Sequence, residues 1–113
     1  MKNRAHLSMI ALGAMLLGAR CQQKTERPTL SDPVVARIMA DLFVAEAATN
    51  GLSGYSKDSL TEIYYRQVFE MHGVAKAEYE KNVRIISKDE LHIGAVVDSA
   101  VALLKHNETP SNE

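Results

Sequence analysis

The chain is 113 residues long, with 46% hydrophobic residues, a formal net charge of −1 and a single cysteine. That length provides for one small domain, whose core buries only about 60–65% of its unfolded surface, and it excludes a second domain. One cysteine excludes an internal disulfide framework and a cysteine-rich metal site.

Met1-Lys2-Asn3-Arg4 forms a short basic start, and Leu7 to Leu17 follows as an apolar run without a charge. This is the layout of a secretory signal, expected over residues 1–20. The run falls short of the roughly 20 apolar residues that cross a bilayer, so a permanent anchor is disfavoured. The only cysteine closes the segment Leu16-Leu17-Gly18-Ala19-Arg20-Cys21, which resembles the lipobox of bacterial lipoproteins. That resemblance implies a diacylglycerol on the Cys21 thiol and cleavage before it. Arg20 departs from the small residue usual at this position. The alternatives are an ordinary secretory signal cut near Ala19, or an uncut anchor with Cys21 as an incidental thiol. Two or three acyl chains hold a protein stably on a membrane, whereas one binds reversibly.

The three basic residues Lys2, Arg4 and Arg20 precede Cys21 and no acidic residue does, leaving ten basic against fourteen acidic residues in the mature chain. An acidic surface repels phosphate backbones, and no basic stripe is interleaved with aromatics, so nucleic acid is not an expected partner.

Residues 21–30 are polar, contain Pro28 and show no periodicity, which reads as a flexible tether. A first helix starts at Ser31-Asp32-Pro33, with a capping side chain before a proline suited to the first helical position. Val35, Ile38, Leu42 and Ala45 recur at helical spacing, Met39 and Phe43 widen the stripe, and Asn50-Gly51 stops it. After a glycine- and serine-rich loop from Leu52 to Lys57, a second helix starts at Asp58, carries Leu60, Ile63, Tyr64 and Val68 on one side, and ends at His72-Gly73. A third runs from about Lys76 to Ile86 and buries Tyr79, Val83 and Ile86. Ser87-Lys88-Asp89-Glu90 has capping-box spacing and opens a fourth helix. Leu91, Val97, Val101 and Leu104, flanked by Ile93, Val96 and Ala100, form its apolar face. Gly94 inside it costs about 1 kcal/mol relative to alanine and implies either close packing or a locally weak helix. Residues 107–113 read as a disordered tail. The expected fold is all-α, a small bundle of about four short antiparallel helices over residues 31–106.

Four stretches carry a resemblance that covers roughly Leu30 to Lys105. They are Ile38-Met39-Ala40-Asp41-Leu42 leading to Ala45-Glu46-Ala47-Ala48, then Tyr64-Tyr65-Arg66-Gln67-Val68-Phe69, then His72-Gly73-Val74 before Glu78-Tyr79, and the helix from Val96-Val97-Asp98 to Leu103-Leu104. In order and spacing behind a lipobox-like cysteine, they resemble a family of short uncharacterised lipoproteins, known mainly from Bacteroidota, defined only as a domain of unknown function. The chain departs from the family's usual second aromatic and proline at Ile85-Ile86-Ser87-Lys88-Asp89. The resemblance implies a helical fold and an envelope location, and supplies no activity.

Few residues carry recognisable chemistry. His72, beside a helix-stopping glycine, suits a capping role at the negative end of the helix dipole. Asp89 and His92, spaced i, i+3, share a helix face, but a bundle metal site needs two such pairs and further carboxylates, so no metal is expected. Asp41 and Glu46 interrupt an apolar helix and point about 140° apart. They suit a solvated rim, salt-bridged to Arg37, Arg66 or Arg84, or recognition of a partner. Of the adjacent Tyr64 and Tyr65, one is expected in the core and the other partly exposed. The candidate interaction residues are therefore Asp41, Glu46 and Tyr65, with Cys21 as the lipid attachment point. No phosphate loop, His-Glu-x-x-His or Ser/His/Asp frame is present. No catalytic residue and no cofactor is expected.

The leading expectation is a non-catalytic, lipid-anchored accessory or protein-interaction module with an envelope protein as partner. The alternatives are a carrier of a small apolar ligand in a pocket beside Met39, Phe43 and Met71, and a metal-dependent enzyme. Gln22, Gln23 and Lys24 after Cys21 do not form the acidic cluster that resembles a surface-export signal, so the domain is expected to face the periplasm from the outer membrane.

Overall fold

The computed structural model describes residues 25–108, so the expected signal segment, Cys21 with the three residues that follow it in the expected tether, and the last five residues lie outside the described residues. Within them are four helices and no strand: α1 Asp32–Ala48, α2 Gly54–His72, α3 Lys76–Ile86 and α4 Glu90–Glu108. None is long and apolar enough to cross a membrane.

The helix ends show where local chemistry acts. At α1, the Ser31 side chain makes no capping bond, and its carbonyl instead accepts from the Val34 and Val35 N–H groups at 3.0 and 3.1 Å. Pro33 stands at the second helical position and has no N–H to offer a capping hydroxyl. The stop of α1 also differs from the expected glycine turn. Thr49 caps it, with its N–H and its hydroxyl both on the Glu46 carbonyl, and it is fully buried.

α2 begins four residues before the expected Asp58. Gly54 adopts φ 62°, a left-handed conformation open to glycine, and turns the extended Ser53 directly into helix. The other end is as expected: Gly73 sits at φ 63°, ψ 28°, and the Gly73 and Val74 N–H groups bond the carbonyls of Glu70 and Phe69. At α4 the capping box does not form, because Ser87 still belongs to the end of α3, where its N–H reaches the Val83 carbonyl at 2.8 Å. Asp89 caps α4 instead, its Oδ1 accepting from the Leu91 and His92 N–H groups at 3.0 and 3.2 Å.

α1 is the central element and packs against all three other helices. Val35, Ala36, Ile38, Met39 and Ala40 bury it on most of its circumference. Val96 and Ala100 of α4, Val68 and Phe69 of α2, and Tyr79 and Ile86 of α3 complete the core. The Phe69 and Tyr79 rings meet tilted at 53° with centroids 5.6 Å apart. Three polar links, Asp41 to His72, Glu46 to Tyr65 and Thr49 to Thr61, show α1 and α2 running antiparallel. By contrast, α1 and α4 start at one end of the bundle, where His92 bonds Asp32.

Three expected core positions face solvent, Phe43 of α1 among them. Leu91 is 87% exposed, since the cap at Asp89 sets the helical phase so that Ile93, Val96, Val97 and Ala100 turn inward. Ile63 is also exposed, because α2 meets α1 through Tyr65, Val68 and Phe69.

Asn82 of α3, fully buried, fastens the chain's approach to α1. Its Oδ1 accepts from the Thr29 and Leu30 N–H groups at 2.7 and 2.9 Å, and its Nδ2 donates to Thr29 Oγ1 and the Glu78 carbonyl at 3.0 and 2.8 Å. Thr29 and Leu30 therefore belong to the packed domain rather than to a free tether. Removing the amide strands two backbone donors, so Asn82→Ala is expected to cost at least about 2 kcal/mol in denaturant unfolding. Gly94 gives the opposite case. A Cβ there meets nothing within 4 Å, which disposes of the close-packing explanation. Gly94→Ala is expected to stabilise by about 1 kcal/mol in the same measurement.

Candidate functional site

Glu46, in the last turn of α1, and Tyr65, midway along α2, stand opposite each other because the two helices are antiparallel. The Tyr65 hydroxyl donates to Glu46 Oε1 at 2.6 Å. Burial first, and then the hydrogen bond and negative charge of Glu46, push the Tyr65 hydroxyl up to about 12. Burial also raises Tyr79.

Asp41 sits on the other flank of the α1–α2 seam. Its Oδ2 accepts from His72 Nε2 at 2.6 Å, and the carboxylate, being acceptor-only, requires the proton on that nitrogen. Neither carboxylate meets the arginines expected for it. Arg66 lies 3.9 Å from Glu70 on its own helix, and the antiparallel seam presents His72 and Tyr65 first. The structure thus joins Tyr65 to Glu46 and keeps Asp41 apart from both. The His72 ring is likewise spent on Asp41, while backbone N–H groups satisfy the last carbonyls of α2.

The Glu46–Tyr65 pair stands between two open cavities. On one side is a groove of about 950 Å³ along α2 and the start of α3, with Thr61, Phe69, Val74 and Lys76 in its wall. On the other is a cavity of about 510 Å³ floored by α1 and walled by α3 and α4, lined by Leu42, Phe43, Val83, Ile93 and Val97. A third hollow of about 330 Å³ lies on the Asp41 flank beside Val44, Tyr64 and Met71. Met39 and Phe43 both line the cavity between α1, α3 and α4, whereas Met71 stands 69% exposed on the opposite flank, so the three do not share one pocket. Tyr64 and Tyr65 are both partly buried, neither being a core residue.

Asp89 is occupied as a helix cap and His92 binds Asp32 Oδ2 at 2.8 Å, so these two do not form a pair. Among the described residues, no group of three or more His, Cys, Asp or Glu side chains is placed to hold a metal ion.

The model of a domain of unknown function, DUF4296, matches residues 28–109. The chain belongs to this family. No curated protein and no solved structure matches it. The DUF4296 match starts at Pro28, one residue before the Thr29–Leu30 segment that Asn82 holds, so the family's sequence unit and the packed unit nearly coincide.

Sequence reasoning missed Asn82 and the specific Glu46–Tyr65 link. Asn82 had a usable signal: it falls on the inward stripe between Tyr79 and Ile86, where a buried amide needs partners.

The Glu46–Tyr65 pair makes a pH-dependent prediction. The folded state holds the tyrosine proton to about pH 12 against an ordinary value of 10.0, so this contribution to stability is complete below about pH 10 and is lost as pH rises through about 12. Tyr65→Phe should lower stability at neutral pH by about 0.5–1 kcal/mol. It should also remove the most alkaline phase of the tyrosinate absorbance and flatten unfolding free energy between those pH values.

Proposed function

We propose that this DUF4296 protein is a lipid-anchored component of the bacterial cell envelope whose helical domain acts non-catalytically as a protein-interaction module. The anchor rests on the basic start, the apolar run and Cys21 in its lipobox-like setting. The facing of the periplasm from the outer membrane rests on Gln22, Gln23 and Lys24 after Cys21, which do not form the acidic cluster that resembles a surface-export signal. The observation that carries the interaction role is the surface made by the groove and the adjoining cavity on either side of Glu46 and Tyr65. It is open along its length, and its walls combine apolar surface at Phe43, Phe69 and Val74 with charge at Glu46 and Lys76. Interfaces of this kind place an aromatic anchor at the centre and polar groups at the rim.

The apolar lining of the middle cavity, from Leu42, Phe43, Val83, Ile93 and Val97, favours a carrier of a small apolar ligand as the second reading. Native mass spectrometry separates the two, since a carrier retains a stoichiometric small molecule and an interaction module does not.

The direct test places a photo-crosslinking residue at Phe43, 40% exposed in the middle cavity, and another at Val44, 56% exposed on the opposite flank. In cells, the Phe43 probe is expected to capture one discrete envelope protein that the Val44 probe does not. Absence of any adduct at Phe43, or identical adducts at both positions, would overturn the assignment of the groove.

A further inference from the structure

The way the chain enters the domain sets which end of it meets the membrane. Thr29 and Leu30 are fixed by three hydrogen bonds to the buried Asn82 amide, and Thr29 Oγ1 adds a fourth contact, to Glu78 Oε1 at 3.1 Å. Farther out, Glu26 lies 3.6 Å from Lys81 on the same helix. The chain therefore leaves the domain along α3, beside the start of α1.

Two further observations place other groups at that end. His92, in the first turn of α4, bonds Asp32, the first residue of α1 and only two residues past Leu30. Leu91, its neighbour, is 87% exposed, with Lys88 exposed in the turn before it. The opposite end is marked by the Thr49–Thr61 link and by Tyr55, 86% exposed in the first turn of α2. The 17 residues of α1 separate the two ends by about 25 Å.

From Cys21 to the fixed Thr29 there are eight residues, which span at most about 28 Å whatever their conformation and about 16 Å as a relaxed chain. A domain held on so short a lead by one end cannot present its far end to the bilayer without folding the lead back along its full length. On this basis, and resting on the lipid anchor proposed above, we infer that the end bearing the α3–α4 turn and Leu91 faces the lipid surface, with Leu91 in the interfacial layer. The contact is apolar and does not depend on anionic lipid, consistent with fourteen acidic against ten basic residues after the signal. The arrangement leaves the α1–α2 loop pointing away from the membrane.

Leu91 and Tyr55 form a matched pair for the test, since both are almost fully exposed and neither supports the fold. The membrane-extracted, full-length protein carrying Leu91→Cys or Tyr55→Cys is labelled with a polarity-sensitive dye; an acylated Cys21 has no free thiol, so only the introduced cysteine reacts. Each protein is reconstituted in phosphatidylcholine vesicles containing a headgroup-linked nitroxide lipid, and its intact mass is recorded on the same sample. The expected result is an acylated protein whose dye at residue 91 is blue-shifted and quenched several-fold more than the dye at residue 55. An acylated protein with equal quenching at the two positions, or stronger quenching at residue 55, would overturn the orientation and leave the anchor standing. An unacylated mass would overturn both.

Discussion

Burial of α1 is the constraint on which the rest of this structure depends. In a domain this small no helix has enough apolar surface to be stable alone, and most helical stability comes from packing an apolar face. The chain meets this by surrounding one helix: Val35 and Ile38 are wholly inaccessible, and Ala36 and Ala40, one turn apart, keep neighbouring backbones close. α2, α3 and α4 each cover part of α1, and Phe69 of α2 meets Tyr79 of α3 beside it. The polar side chains of α1 are left at the edges of that contact, and Asp32, Asp41 and Glu46 each bond a side chain of another helix there.

Those edge links give the surface its form. An exposed carboxylate–tyrosine or carboxylate–histidine bond adds little to stability, but it fixes the register of two helices and the position of a wall. Between α2 and the α3–α4 pair the floor of α1 stays uncovered, and Glu46 with Tyr65 stands across it. Phe43 and part of Leu42 are consequently open at positions that the helical stripe would otherwise assign to the core. The open surface beside these contacts, rather than any one titratable residue, carries the functional reading.

Much of the fold was legible in the sequence because periodicity and end signals agreed. The third helix, the glycine stop at Gly73 and the central apolar stripe of α1 follow from spacing and from glycine's access to left-handed backbone. The departures arose where two signals competed within a few residues. Ser87 and Asp89 both suit a helix cap, and the outcome depended on how far α3 extends. Gly54 reads equally as loop or as the first residue of a helix. The candidate site was legible residue by residue but not as an arrangement. Glu46 and Tyr65 stood out separately, while their pairing depends on the antiparallel register of α1 and α2, which no local pattern specifies. Asn82 shows the same limit: its partners lie more than fifty residues earlier in the chain.

The central claim, that α1 is the element the other helices are built upon, is tested most directly by native-state amide hydrogen exchange across the described helices. The account predicts that the amides of Val35 to Ala40 exchange only through global unfolding, with the highest protection in the chain, and that the first turns of α2 near Gly54 exchange through local opening at much lower free energy. Equal protection in the first turns of α2 and in α1, or faster exchange in α1 than in α4, would contradict it.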